Sequence, residues 1–378
     1  MMKSILFVSS TRTWAGSEVL WSETAAALAD KGYNVKFAVR YTHPVIQKLQ
    51  SKGAVYIDTS KADFPSFGDK VLRKLKLKEH PFAKGLAKHK PQLVFINLSN
   101  NIQGEYYLTA CRQYGVPYVT LIHLVPENLW PFYEDDYIDG LRTSYARSQA
   151  NYFVSRANLD QHHIMIGDEH PNAKVVSNPF TVRADLPDKY PAVTDGQYNI
   201  AMVGRLETFH KGHDLLLQVL KQPKWKNRPV TLNIYGAGPH QKLLERLIAK
   251  FDLTNVFLKG HVQNVSDIWR TNHLLVMPSR MEGQALVLIE AMWCYRTAVL
   301  TDVGGARELI ADGETGFIAD YPSVTAIDHA LEKAWSLREQ WEEMGRAAGR
   351  TIREIYQTDP VELFTEEVKK IFDKVAGV

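Results

Sequence analysis

Runs of β-branched and aliphatic residues alternate with amphipathic stretches along this chain, stop at a segment dense in proline, aspartate and tyrosine, and then start again. The first series occupies residues 5–8, 35–39, 93–96, 118–122 and 152–154. Continuous apolar runs of this length, separated by helical patterns, are what strands of a helix-covered parallel sheet look like in sequence. The interruption runs from Asn178-Pro-Phe through Leu186-Pro-Asp-Lys-Tyr-Pro to Asp195-Gly, the punctuation of an interdomain linker. The second series comprises Asn199-Ile-Ala-Met-Val-Gly, Val230-Thr-Leu-Asn-Ile-Tyr-Gly, Val256-Phe-Leu-Lys-Gly, Leu274-Leu-Val-Met and Ala298-Val-Leu-Thr. The expected fold class is therefore α/β, with two doubly wound Rossmann-like domains facing a central cleft. Residues 1–180 form one domain, 181–197 a linker and 198–357 the other. In residues 358–378 an apolar stripe of Val361, Phe364, Val368, Ile371 and Phe372 predicts a helix packed back on the body, on the N-terminal domain.

Composition narrows the classes. A chain of 378 residues, 45% hydrophobic and 23% charged, has enough apolar material for two cores. A formal charge of +3 is too small to imply nucleic-acid binding, and suits a local anionic ligand better. The two cysteines, Cys111 and Cys294, give neither a disulfide framework nor a zinc site, which favours a reducing, cytoplasmic setting. The apolar run near the N-terminus is shorter than a signal or membrane-spanning segment and reads as the first strand.

Charged residues gather where strands end. Glu282 and Glu290 bracket Glu-Gly-Gln-Ala-Leu-Val-Leu-Ile-Glu, just after the apolar run 274–277 and Pro278-Ser279. Glu282 is thus expected at a strand's carboxyl edge, where open α/β sheets bind ligands. Gly283, Gln284 and Ala285 would offer backbone N–H groups at a helix N-terminus, a geometry suited to phosphate or sugar hydroxyls. Glu290, in an apolar helix, needs a partner. The spacing by itself also admits an acid/base pair. Val203-Gly-Arg-Leu follows another strand, and Lys211-Gly-His-Asp opens the next helix, so Arg205, Lys211 and a helix N-terminus converge on one edge. Such a cradle fits a diphosphate, although either cation taken singly also reads as a solvated surface charge.

With these residues in hand, the chain resembles the retaining glycosyltransferases of family 4, which have the GT-B fold. The resemblance is carried by Gly204-Arg-Leu, Lys211-Gly-His-Asp, Tyr235-Gly-Ala-Gly-Pro, Gly260-His-Val, Met277-Pro-Ser and Glu282 through Glu290-Ala-Met. It continues through Val303-Gly-Gly-Ala-Arg-Glu-Leu-Ile and Asp312-Gly-Glu-Thr-Gly-Phe, in order across the second half. It implies that Arg205 and Lys211, beside Gly204, hold the donor diphosphate. It also implies that Glu282 and the backbone of Gly283, Gln284, Ala285 and Leu286 contact the donor sugar and phosphates, and that Glu290 holds the ribose. Gly260-His-Val would face the base, with Val262 equally readable as a packing residue. Tyr235-Gly-Ala-Gly is a weak phosphate signal on its own and reads chiefly as a tight turn.

The first half resembles the family less closely. Trp14-Ala-Gly-Ser-Glu stands where many members have Gly-Gly-x-Glu, which assigns Gly16 a backbone approach to the diphosphate or acceptor. His123 follows the run 118–122 and matches a histidine that contacts the donor sugar, while a lone histidine there serves equally as a structural group. The basic stretch from Lys70 to Lys84, Lys88 and Lys90 carries Leu72, Leu75 and Leu77 and reads either as a contact with an anionic membrane or as a solvated helix face. No aromatic platform accompanies it, which speaks against nucleic acid.

The resemblance implies transfer of a hexosyl group, with retention, from a nucleotide sugar (UDP-linked favoured, GDP-linked open) to a glycan, lipid-linked or small-molecule hydroxyl, as in cell-surface polysaccharide synthesis. His123, Arg205, Lys211 and Glu282 would carry catalysis without metal or cofactor. The competing readings are a nucleotide-sugar epimerase or hydrolase of the same fold, and a non-catalytic sugar-nucleotide-binding partner subunit.

Overall fold

In a computed structural model that describes residues 3–57, 81–180 and 189–377, the chain divides into two units, Met1–Pro179 with Thr358–Val378, and Phe180–Gln357. The predicted linker residues 181–188 and most of the basic stretch beginning at Lys70 lie outside the described residues.

The first unit is a parallel sheet of β1 (Ser4–Ser9), β2 (Asn34–Ala38), β3 (Val55–Tyr56), β4 (Leu93–Leu98), β5 (Tyr118–Ile122), β6 (Ala150–Phe153) and β7 (Ala173–Val175), in the order β3-β2-β1-β4-β5-β6-β7. Successive strand residues point to opposite faces, so a sheet covered on both sides needs apolar residues at every position. β1 satisfies this: Ile5 and Phe7 join one core with Phe95, Leu121 and Tyr152, while Leu6 and Val8 join another with Val94, Ile96 and Ile122. The first of these cores is closed by the final helix, Pro360–Ala376, through Phe364, Val368 and Phe372. Phe364 meets Phe95 and Tyr152 edge-on, Phe372 meets Tyr33, and Lys3, Lys31 and Lys174 pair with Asp373, Glu366 and Glu367.

The second unit repeats the plan. β8 (Tyr198–Val203), β9 (Val230–Tyr235), β10 (Val256–Gly260), β11 (Leu274–Met277), β12 (Thr297–Thr301) and β13 (Phe317–Ala319) are all parallel, in the order β10-β9-β8-β11-β12-β13. Ile200, Met202, Leu232 and Val276 face one core; Ala201, Leu275, Met277 and Leu300 face the other. Residues 189–197, read from sequence as the end of a linker, fold onto this unit: the Tyr190 hydroxyl donates to His273 O at 3.0 Å, and Thr194 bridges Gln197. Phe180 is buried in its core beside Trp293 and Tyr356.

In each sheet the strand order reverses beside the unit's first strand, between β1 and β4 and between β8 and β11. Helices from neighbouring crossovers diverge at such a point, leaving a crevice at the strands' carboxyl ends. Among the described residues no helix is long and apolar enough to cross a membrane.

Candidate active site

In the second unit the crevice is built by two loops that lock together. After β8 the chain passes Gly204 and Arg205 to Glu207, whose side chain caps a single helical turn, Thr208–Lys211, by accepting from the Phe209 and His210 N–H groups at 2.7 and 3.0 Å. Gly212 ends that turn in the left-handed region, at φ 67°, and starts the helix His213–Leu220. A Cβ at Gly212 would overlap the Pro278 carbonyl, so only glycine lets the turn lie this close to the loop after β11. Lys211 is thereby delivered beside Glu282. Its Nζ donates to Glu282 Oε1 at 2.7 Å, and Ser279 Oγ donates to the same oxygen at 2.7 Å.

Arg280 stitches the two loops. Its N–H donates to His210 O, and its guanidinium donates to Thr208 O and grips Asp214 through two bonds of 2.8 and 2.7 Å. Burial pushes the Asp214 carboxyl up, but the hydrogen bonds and charge of Arg280 outweigh it and hold the group below its usual range. Behind Glu282, the Gly305 N–H donates to Gly283 O at 2.8 Å. Gly304 is at φ 56°, and a Cβ there would overlap the Glu282 and Gly283 carbonyls. Val303-Gly-Gly, seen in sequence as a family signature, is physically the backing of the Glu282 loop.

The predicted residues fall into three groups. Lys211, Glu282, Gly283 and Gly204 are brought together; a Cβ on Gly204 would touch the Lys211 stem at 3.6 Å. Gln284, Ala285 and Leu286 lead into the helix Leu286–Trp293, with Gln284 Oε1 accepting from the Tyr356 hydroxyl at 3.3 Å. Arg205 follows β8 and Gly204, is exposed and makes no ion pair among the described residues. Glu290 lies farther along the helix and is 7% exposed. Val262 follows β10, two strands from β8, and packs partly buried against the core. The Tyr235 turn shows why it is glycine-rich: Cβ atoms at Gly236 and Gly238 would overlap the backbone of Gly204 and Leu206.

Gly16 and His123 belong to the first unit. Gly16 opens a short 3-10 turn, Gly16–Glu18, after β1. His123, just past β5, is 8% exposed, and burial pushes its imidazole down to about 3, so it is neutral. Its Nε2 lies 2.8 Å from Asn97 Oδ1.

Asn97 and Glu18 were not singled out in sequence. Glu18 is fully buried, and its carboxylate accepts from Ser9 Oγ (3.1 Å), Asn97 Nδ2 (2.8 Å), Trp21 Nε1 (2.9 Å) and the Tyr41 hydroxyl (2.6 Å). Burial, then the Glu18 charge and hydrogen bond, raises the Tyr41 phenol. Because the Asn97 amide nitrogen serves the carboxylate, its oxygen faces the histidine, and His123 Nε2 must carry the hydrogen. The ring's acceptor is then Nδ1. The signal available in sequence was a glutamate set directly before the apolar run Val19-Leu-Trp, in a helix whose other glutamate, Glu23, follows that run.

Residues 188–351, which carry the Lys211–Glu282 crevice, match the family described as glycosyl transferases group 1. That match takes in less than half of the chain. Curated homologues include glycosyltransferases. One, D-inositol 3-phosphate glycosyltransferase of Gordonia bronchialis, is 32% identical over 162 residues, 39% of this chain and 35% of that protein. Its Arthrobacter counterpart is 26% identical over 270 residues, 65% of this chain and 63% of the relative. The chain thus spans less than two thirds of the length of these relatives. Among solved structures, Anabaena HepE in complex with UDP and glucose superposes with a TM-score of 0.72 at 18% identity, covering 98% of this chain and 99% of that one. Sucrose-phosphate synthase of Thermosynechococcus elongatus gives 0.72 at 14% identity, covering 99% of each. At these identities the likeness shows the fold, and the fold is GT-B.

Proposed function

We propose that the protein is a retaining glycosyltransferase that moves a hexosyl group from a nucleoside-diphosphate sugar, UDP-linked in the first instance, to an acceptor hydroxyl. The observation that carries this is the Lys211–Glu282 pair at the carboxyl edge of β8 and β11, inside the segment that matches the family. A diphosphate entering the crevice meets Lys211, held by a glycine-dependent turn, and Arg205, next to Gly204. Fixed cations aimed at a leaving group stabilise the charge that develops there without reorganising in the transition state. Glu282 Oε1, restrained by Ser279 and Lys211, is the acceptor for donor-sugar hydroxyls. The roles of Glu290 toward the ribose, of Gly16 toward the diphosphate, of Val262 near the base and of His123 toward the sugar rest on the family resemblance, as does retention. With no side chain assigned as covalent nucleophile, the acceptor proton passes to the departing phosphate. No metal or cofactor is part of the scheme.

The donor assignment draws support from solved structures of this fold in complex with UDP, and the pathway from relatives named for poly(ribitol-phosphate) glycosylation and capsular polysaccharide biosynthesis in Staphylococcus aureus. We place the reaction in the cytoplasm, with the basic stretch containing Lys70 and Lys90 meeting anionic lipid and the acceptor a glycan or lipid-linked glycan.

Titrating UDP, GDP and ADP against the full chain while following thermal unfolding tests the donor site, since a ligand bound only by the folded state raises the midpoint with concentration. One diphosphate should shift it, and Lys211→Ala should erase the shift. The absence of a shift with all three would sink the assignment. Product analysis with the donor alone separates a transferase, which hydrolyses it slowly, from an epimerase or hydrolase.

A further inference from the structure

The hydrogen-bond network at the first unit's switch point has a direction, and its charged end sets that direction. Ser9, Asn97 and Leu121 are register partners on β1, β4 and β5, so the strand ends deliver the Asn97 amide between Glu18 and His123. Asn97 is fully buried, and its amide has a donor end and an acceptor end of nearly the same shape. Glu18 Oε1 takes a hydrogen of Asn97 Nδ2 at 2.8 Å, which leaves Asn97 Oδ1 to take the hydrogen of His123 Nε2 at 2.8 Å. Turning the amide over would set its oxygen against the carboxylate in a site closed to water, where a mismatched polar pair is costly.

The other ring nitrogen, Nδ1, makes no hydrogen bond among the described residues and is not shut off from solvent. The His123 N–H donates to Leu98 O at 3.1 Å, which ties the backbone under the ring to β4. With the imidazole neutral, Nδ1 offers a lone pair and neither a hydrogen nor a charge. We infer that Glu18 and Asn97 are positioning residues that make His123 a pure hydrogen-bond acceptor, so that this end of the first unit selects a substrate hydroxyl by its hydrogen. This rests on the transferase reading, in which that hydroxyl belongs to the donor sugar. It adds what His123 recognises there: an O–H, and not an anion or a group that can only accept.

A near-isosteric substitution reverses the relay. Glu18 Oε2 accepts from Trp21 Nε1 at 2.9 Å and from the Tyr41 hydroxyl at 2.6 Å, and an indole N–H can only donate. In Glu18→Gln the amide oxygen therefore stays toward Trp21, and the NH₂ group takes the place of Oε1. Ser9 Oγ can accept from that group, but Asn97 must turn its oxygen toward it. The Asn97 NH₂ then faces His123 Nε2, which loses its hydrogen while Nδ1 gains one.

The test has two arms, both on the full chain. Imidazole nitrogen NMR of isotope-labelled histidine, with the His123 signals identified by their loss in His123→Gln, should show Nε2–H in the parent and Nδ1–H in Glu18→Gln. Tyr41→Phe removes a donor from the same carboxylate without touching Asn97 and should keep Nε2–H. The second arm follows nucleotide release from saturating UDP-glucose and from its monofluoro analogues, in which fluorine, unable to donate, replaces one sugar hydroxyl. At one position Glu18→Gln should narrow the gap between UDP-glucose and the analogue about fivefold relative to the parent, and it should leave the gaps at the other positions unchanged. Fluorine's own inductive effect cancels in that comparison. Nδ1–H or a mixture in the parent overturns the inference, as does an unaltered tautomer in Glu18→Gln or a set of gaps that the variant leaves as they were. The parent spectrum decides the tautomer even where Glu18→Gln fails to fold. A parent that releases no nucleotide from UDP-glucose refutes the donor reading alone, because the tautomer is read on the unliganded chain.

Discussion

Both units bring a glutamate to the switch point of a parallel sheet, and they restrain it by opposite means. Glu282 in the second unit faces a cation, Lys211, in a partly open crevice; its side chain is 12% exposed and that of Lys211 27%. Glu18 in the first unit is sealed from solvent and satisfied by uncharged donors from Ser9, Trp21, Tyr41 and Asn97. A partly exposed ion pair can exchange one partner for a ligand, whereas a buried network loses heavily if any member goes. On the proposed reading Glu282 works on the donor, while Glu18 holds the sheet end together.

That contrast breaks or stands on five measurements. Lys211→Ala should lower transfer, followed as nucleotide release, by about 10²–10³-fold. The same variant should cost less stability than Glu18→Ala, about 1–2 kcal/mol, because Ser279 still donates to Glu282. A large stability loss in place of the activity loss would make the pair structural. Glu18→Ala should do the reverse, costing about 3 kcal/mol or more in denaturant unfolding, because several buried donors lose their acceptor at about 1–3 kcal/mol each. If it unfolds like the parent, the network is not what fixes this end of the sheet.

Acid then probes both units through buried neutral histidines, His123 in the first and His213 in the second, which burial pushes down to about 3 and about 4. The unfolded chain takes up protons first as pH falls below about 6.5, so the stability they contribute is complete above that pH. Each histidine should then remove up to about 1.4 kcal/mol per pH unit as pH drops toward its folded value. A stability profile that is flat from pH 6.5 to 4.5 contradicts this. The smallest effect on rate belongs to Asn97→Leu, which frees the His123 tautomer while also costing stability through the lost donor to Glu18: one hydrogen bond of about 1 kcal/mol to the histidine corresponds to about fivefold in rate. The loss should appear in kcat with KM steady; a change confined to KM would count against an orienting role.

The second unit's site was legible in the amino-acid sequence because its parts lie in short motifs. Gly204 through Lys211 and Ser279 through Glu290 each span about one loop, so their placement at strand ends followed from recognising the strands. What those motifs do to one another was not legible: that Gly212 and Gly304 are needed for backbone approach to Pro278 and Glu282 emerges only when the two loops meet. The first unit's network is scattered. Glu18 and Asn97 are 79 residues apart and Asn97 and His123 another 26, and they converge only because β1, β4 and β5 are neighbours in the sheet. The edge strands Val55–Tyr56, Ala173–Val175 and Phe317–Ala319 were not foreseen, since two or three residues carry no periodicity.

The helix Pro360–Ala376, which closes the core of the first unit, also sets the order in which the chain can mature. Domains emerging from the ribosome generally fold N-terminal first. Here the first unit's sheet must wait with the surface around Phe95, Tyr152 and Tyr33 uncovered until Phe364 and Phe372 have been synthesised, whereas the second unit is contiguous and has all its strands before then. The half of the protein made first is the half finished last, and a nascent chain arrested after Gln357 would hold a folded second unit and an exposed apolar face on the first.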